Sequence, residues 1–217
     1  MCGRFTLYSP LDEIMMRFNI EYGDISYTSR YNIAPSQKVL AVVNDGKRNR
    51  MGYLRWGFVP PWANDPKIGN QMINARAETL AEKPSFRQAY RKKRCLIIAD
   101  GFYEWNGKVP MYIQLKNRQP FAFAGLWERW TGADGEEITS CIIVTTKANE
   151  LLVSIHPRMP VILDQEQEKI WLDRNIADPN ILDQLLQPYP AEKMMAYPVS
   201  TLVNSPKNNN ESLIKPV

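Results

Sequence analysis

The sequence predicts an α+β domain of mostly antiparallel sheet, barrel-like, with a few flanking helices. Short apolar runs of strand length recur along the chain, punctuated by turn pairs such as Asp45-Gly46 and Asp134-Gly135. Helical periodicity is confined to a few stretches. No repeat and no linker divides the 217 residues, a length that suits one domain over 1–217 with a sizeable core.

Taken in order, Ser9-Pro10-Leu11-Asp12 opens a helix, with serine as the expected cap, proline in the first turn and an acid at the third position. Leu11, Ile14, Met15 and Phe18 then fall on one face, which must be core. Runs at 38–43 and 50–56 flank Asn44-Asp45-Gly46 as a hairpin. Further strands are expected at 95–99, 111–115, 121–126 and 138–145, and a late one at 195–199. Asp164 and Asp178-Pro179 can cap helices at 165–172 and 179–186. Ser205-Pro206-Lys207-Asn208-Asn209-Asn210 reads as a surface loop.

Composition, 44% hydrophobic and 23% charged, is that of a soluble globular protein. No apolar run approaches the ~20 residues of a membrane span, and no charged-then-apolar leader is present, so a cytoplasmic protein with no membrane partner is expected. Three cysteines without a leader argue against a disulfide framework. Cys95 and Cys141 sit in apolar runs and read as buried strand residues, which leaves Cys2 apart. A net charge of +4 permits an anionic partner without requiring one. The cluster Arg87, Arg91, Lys92, Lys93 and Arg94 reads as a solvated helix face in preference to a binding patch. One histidine and no Cys-x-x-Cys argue against zinc, and no phosphate loop, G-x-S-x-G or dinucleotide fingerprint occurs, so no metal or cofactor is expected.

Four polar stretches carry candidate chemistry. A small residue behind Met1 favours removal of that methionine, which would make Cys2 an N-terminal 1,2-aminothiol able to close a thiazolidine ring on an aldehyde. Asn74 and Arg76 at i and i+2 would share one side of an extended segment, although structural amides and surface arginines are common. Glu104 lies between aromatics in Gly101-Phe102-Tyr103-Glu104-Trp105, where burial suits a proton carrier; a carboxylate paired at a strand edge is an equal alternative. His156, followed by Arg158, sits in a proline-stiffened loop after a strand, a favourable place for catalysis, though a lone histidine is more often structural.

The ordered set Met1-Cys2-Gly3-Arg4-Phe5, Arg30-Tyr31-Asn32-Ile33-Ala34-Pro35, Arg55-Trp56-Gly57-Phe58-Val59-Pro60, Ile73-Asn74-Ala75-Arg76-Ala77-Glu78-Thr79, Gly101-Phe102-Tyr103-Glu104-Trp105 and His156-Pro157-Arg158-Met159-Pro160 resembles the SOS response-associated peptidase (SRAP) family over nearly the whole chain. The resemblance implies a protein that shields abasic sites in single-stranded DNA by crosslinking to them, and that removes its own leading residue. It implies Cys2 as nucleophile, Asn74 orienting the thiazolidine, Glu104 moving protons and His156 stabilising the aldehyde-derived oxygen. Arg4, Arg76 and Arg158 would grip phosphates, and Trp56, Phe58 and Trp62 around Pro60-Pro61 would wedge against bases unless core claims them. A monomer acting on damaged DNA in the nucleoid is expected. A thiol peptidase using Cys2 and His156, and a non-covalent single-strand binding module, stay open as rivals.

Overall fold

Apolar residues on both registers of the long central strands give them two faces to bury, and closing the sheet on itself satisfies both. The computed structural model describes residues 2–21 and 25–217. Its elements run β1 (Arg4–Leu7), α1 (Leu11–Arg17), β2 (Arg30–Ile33), β3 (Lys38–Asn44), β4 (Asn49–Trp56), β5 (Asn74–Arg76), α2 (Arg87–Lys92), β6 (Arg94–Ala99) and β7 (Gly101–Asn106). They continue with β8 (Val109–Leu115), β9 (Phe121–Thr131), β10 (Glu137–Lys147), β11 (Arg158–Pro160), β12 (Ile162–Leu163), α3 (Gln165–Leu172), α4 (Pro179–Leu182) and β13 (Met194–Pro198).

Strands β10, β4, β3, β6 and β9 pair in that order, and β9 pairs again with β10, closing a five-stranded barrel. Four of its seams are antiparallel and the β4–β10 seam is parallel. Closure leaves no free edge, and a barrel this small is filled by side chains. Every residue of β6 is buried. A second sheet, β13-β8-β7-β1-β2, is antiparallel throughout. It is welded to the barrel by aromatic edges: Phe5 lies 5.2 Å from Trp56 and 5.7 Å from Phe123, and Phe102 lies 5.9 Å from Phe123. One core cluster contains all four rings.

The hairpin around Asn44-Asp45-Gly46 and the helix over Gln165–Leu172 form as expected, the latter with a full Asp164/Gln167 capping box. Three expectations are corrected. Ser9 does not cap α1, whose N-cap is Pro10. Its hydroxyl instead donates to the buried Asp100 at 2.5 Å, and the amides of Tyr8 and Ser9 donate to the same carboxylate at 2.5 and 2.8 Å. A carboxylate stranded without donors costs more than an uncapped first turn. Next, the helix expected over 179–186 stops at Leu182 and tightens into a 3-10 turn at Asp183–Leu185. Finally, Arg94 is no surface cation. It is buried, and its guanidinium donates to the carbonyls of Tyr90 and Arg91 in the last turn of α2, and of Trp171, Asp173 and Ile176 around the end of α3, at 2.5–2.8 Å. One side chain thus caps two helices that expose free carbonyls. Arg87, Arg91 and Lys92 are exposed along α2, as expected of a solvated face. No helix among the described residues is long and apolar enough to cross a membrane.

Candidate active site

The site begins with strand register. β1 runs antiparallel to β7 with Arg4 opposite Tyr103, so the chain ahead of Arg4 lies alongside the residues after Tyr103. That brings Cys2 to Glu104. On β7 alternate residues share a face: Phe102 joins the barrel core, while Tyr103 joins a separate cluster with Tyr112, Val199, Val203 and Leu213. Glu104 therefore follows Phe102 to the barrel side and is buried, with Oε1 accepting from the Trp105 amide at 3.3 Å. Gly101 starts β7 under strict constraint. A Cβ there would lie 2.3 Å from the Tyr112 hydroxyl and 2.8 Å from the Ile113 carbonyl, so only glycine lets the strand approach β8 this closely.

Cys2 is fully buried. Its carbonyl accepts from Asn74 Nδ2 at 2.9 Å, and its Sγ points to the Arg4 carbonyl at 3.9 Å. Burial, and next the charge of Glu104, push the Cys2 thiol far above its ordinary range. Asn74 is presented by β5, which pairs in parallel with β10, Asn74 opposite Ile143. Its Oδ1 is buried with no hydrogen-bond partner among the described residues. An orphaned acceptor costs about 1–3 kcal/mol, which a donor arriving with a ligand would recover.

His156 lies in the turn between β10 and β11, half-buried. Its amide donates to the Leu152 carbonyl at 2.9 Å, and the Arg158 amide donates to its Nδ1 at 3.0 Å. The Arg158 carbonyl is also 3.2 Å from Nδ1. An amide N–H can only donate, so the shorter contact assigns Nδ1 as acceptor, and the neutral ring carries its proton on Nε2.

The expected phosphate grips and base wedges separate into different environments. Arg76 is exposed, and its guanidinium has no hydrogen bond among the described residues. Arg158 is held bidentately by Glu78, at 2.5 and 3.0 Å, and donates to the Thr145 carbonyl at 2.6 Å. Arg4 turns inward, with Nη1 donating to Asn32 Oδ1 at 2.8 Å and to the Val203 carbonyl at 2.7 Å. Trp56 corrects its expected role: it is fully buried, bonds the Ile73 carbonyl through Nε1 at 3.0 Å and packs on Phe5, so no base can stack on it. Phe58 is buried as well, while Trp62 is 58% exposed. Glu78 and Asn32 stood inside motifs that were read, yet carried no expected role; their partners lie 80 and up to 176 residues away in sequence.

Two hollows lie elsewhere. One of about 530 Å³ is lined by Arg17, Asn49 and Glu168, and another of about 500 Å³ by Asn44, Lys92 and Arg174, at the end of β3 away from Lys38. Neither is lined by Cys2, Asn74, Glu104 or His156. Among the described residues no group of three or more His, Cys, Asp or Glu is placed to hold a metal. Met1, and with it the expectation of its removal, lies outside the described residues.

Residues 1–206 match the family model of the SOS response associated peptidase (SRAP). The chain belongs to the SRAP family. It is 56% identical over 99% of both chains to the abasic site processing protein YoqW of Bacillus subtilis (strain 168), and 32% identical over the full length of both chains to the abasic site processing protein YedK of Escherichia coli (strain K12). Among solved structures, a protein from Bacteroides thetaiotaomicron superposes with a TM-score of 0.90 at 28% identity, each chain covered completely.

Proposed function

We propose that this protein processes abasic sites in DNA as part of the response to DNA damage, and that it does so by covalent capture of the lesion in single strands. The observation that carries the reading is the meeting of Cys2, Asn74 and Glu104 at the start of β1. Relatives named abasic site processing proteins, which match this chain end to end, support the substrate.

The mechanism starts when Met1 is removed, by the self-cleavage after which the family is named, leaving Cys2 with a free amine. An abasic deoxyribose is in equilibrium with an open-chain aldehyde. The amine adds to that aldehyde carbon, and loss of water leaves an imine. The thiol then adds across the C=N bond: sulfur bonds to carbon, and its proton ends on nitrogen. A five-membered thiazolidine results, with no oxidant and no leaving group other than the earlier water. Both nucleophiles sit on one residue, so the second step is intramolecular and outruns loss of the 3′ phosphate.

The protein's groups each have a task in that sequence. A thiol held protonated by burial and by a neighbouring negative charge needs a base, and Glu104 supplies it, passing the proton towards nitrogen. Asn74 fixes the Cys2 main chain through its Nδ2 and leaves Oδ1 as an acceptor for the sugar or ring nitrogen. His156, protonated on Nε2, donates to the oxygen that was the aldehyde. Arg76 and Arg158 hold phosphates on either side.

The test is incubation with single-stranded DNA carrying one abasic site. A product surviving heat and detergent is expected from the parent and not from Cys2→Ala, which cannot close the ring. A Cys2→Ala protein that crosslinks as durably as the parent would overturn the mechanism. Intact-mass measurement of the same sample reads whether Met1 is gone.

A further inference from the structure

Arg158 makes its strongest contact with another part of the protein. Its Nη1 and Nη2 donate to the two oxygens of Glu78 at 2.5 and 3.0 Å, and Nη2 donates again to the Thr145 carbonyl at 2.6 Å. The arginine side chain is 17% exposed and the glutamate 53%, so the carboxylate forms the outer half of the pair and faces solvent. A carboxylate and a phosphodiester offer the same forked pair of oxygens to a guanidinium. Glu78 therefore sits where a phosphate would sit on Arg158. The exposed Arg76 precedes it by two residues and, after Arg158, also holds its carboxyl below the ordinary carboxylate range. One acid thus answers two cations on the face proposed to meet DNA.

We infer that Glu78 is a built-in counter-ion: it fills the Arg158 fork in the free protein, gives way to a phosphodiester of the incoming strand, and so weakens the hold on undamaged single strands. This rests on the reading that Arg76 and Arg158 face DNA. The carboxylate half of the pair is open to water, and a phosphodiester offers Arg158 the same forked acceptors, so the exchange replaces one charge-assisted pair by another at small net cost. The counter-ion then acts on specificity. Undamaged strands, bound by phosphate contacts alone, meet the competing carboxylate at full strength, while a lesion is retained by the covalent bond regardless. The displaced carboxylate must also take up a cation from solution, which offsets the counterion that the phosphate releases.

The experiment measures binding of a lesion-free single-stranded oligonucleotide by fluorescence anisotropy across roughly 50–200 mM salt. Glu78→Gln should bind about two- to fivefold more tightly at the lowest salt. The slope of log affinity against log salt should steepen by up to about 0.7. Adding Arg158→Ala to the Glu78→Gln protein should erase the gain. Glu78→Ala, with no side chain left to hold the fork, should show the same direction. Unchanged or weaker binding by the Glu78 variants overturns the counter-ion role and makes Glu78 a clamp that orients Arg158 and, through the Arg158 amide, His156. Failure of both variants to fold marks the same clamp and overturns the role too. A parent that binds no single strand at all removes the reading of the face itself, which keeps the two failures distinct.

Discussion

In the proposed mechanism the amine of Cys2, once free, reacts first and the sulfur second. Burial and then Glu104 push the thiol up, so at neutral pH the sulfur is almost wholly protonated and its attack waits for the imine. The sign follows directly: a raised thiol gains reactivity as pH rises, and gains it late. Alkylation of Cys2 by iodoacetamide, followed by peptide mass, should therefore still be accelerating at pH 9, the ordinary thiol value. A plateau below pH 9 would contradict this placement. Glu104→Gln removes the negative neighbour, so alkylation at a given pH should become faster. Crosslinking to an abasic site, by contrast, should slow by about 10²–10⁴-fold as the general base is lost. The crosslinking arm decides, because a merely structural carboxylate would give the faster alkylation and leave crosslinking at the parental rate.

At the scale of the element, the terminus that carries Cys2 depends on a strand held from both sides. β1 pairs with β7 and β2, and its polar side is strapped to the C-terminal segment. Asn32 is the centre of that strap: Oδ1 accepts from Arg4, and Nδ2 lies 2.8–3.2 Å from the carbonyls of Val203, Ser205 and Asn208. The Tyr31 amide donates to Asn209 Oδ1 at 2.7 Å, and the Trp105 indole donates to Asn204 Oδ1 at 2.9 Å. The asparagine-rich stretch that reads as a surface loop is therefore the other half of the clamp on β1. Asn32→Ala takes one acceptor from the Arg4 guanidinium and one donor from three carbonyls, a cost of about 1–3 kcal/mol. Thermal unfolding should fall by several degrees, at ~2–4 °C per kcal/mol for a chain of this size. Melting at the parental temperature would show that the strap contributes nothing.

For the whole molecule, the division between core and surface is sharpest in the two tryptophans either side of Pro60-Pro61. Trp56 closes the barrel wall against Phe5, and Trp62 stands in solvent. Trp56→Ala should destabilise the fold by about 3–5 kcal/mol, read by chemical denaturation. Trp62→Ala should leave stability within about 0.5 kcal/mol of the parent and weaken single-strand binding, since stacking on an aromatic is worth ~1–3 kcal/mol per base. Equal affinity of Trp62→Ala and the parent would take Trp62 out of the binding face.

Much of this was legible in order along the chain, and for a reason. Periodicity and turn chemistry are local, so the β3–β4 hairpin, the strand cores of β6, β9 and β10 and the capped helix Gln165–Leu172 could be read from neighbouring residues alone. β1, β2 and β7 could not, because Arg4, Arg30, Asn32 and Glu104 interrupt their apolar pattern. The reactive residue types in the motifs were also readable, since an aminothiol, an amide, an acid and a lone histidine carry their chemistry in their side chains. By itself, then, the sequence determined the elements with local signals, the family, and the chemical groups available. The tertiary structure alone decided where those groups sit and what surrounds them. It closed the barrel through the β9–β10 seam, buried Trp56 and left Trp62 outside, turned Arg94 and Arg4 to backbone carbonyls, and set Glu78 on Arg158. Each of these depends on a partner distant in the chain, and burial and ion pairing are properties of the partner's position, which no local pattern encodes.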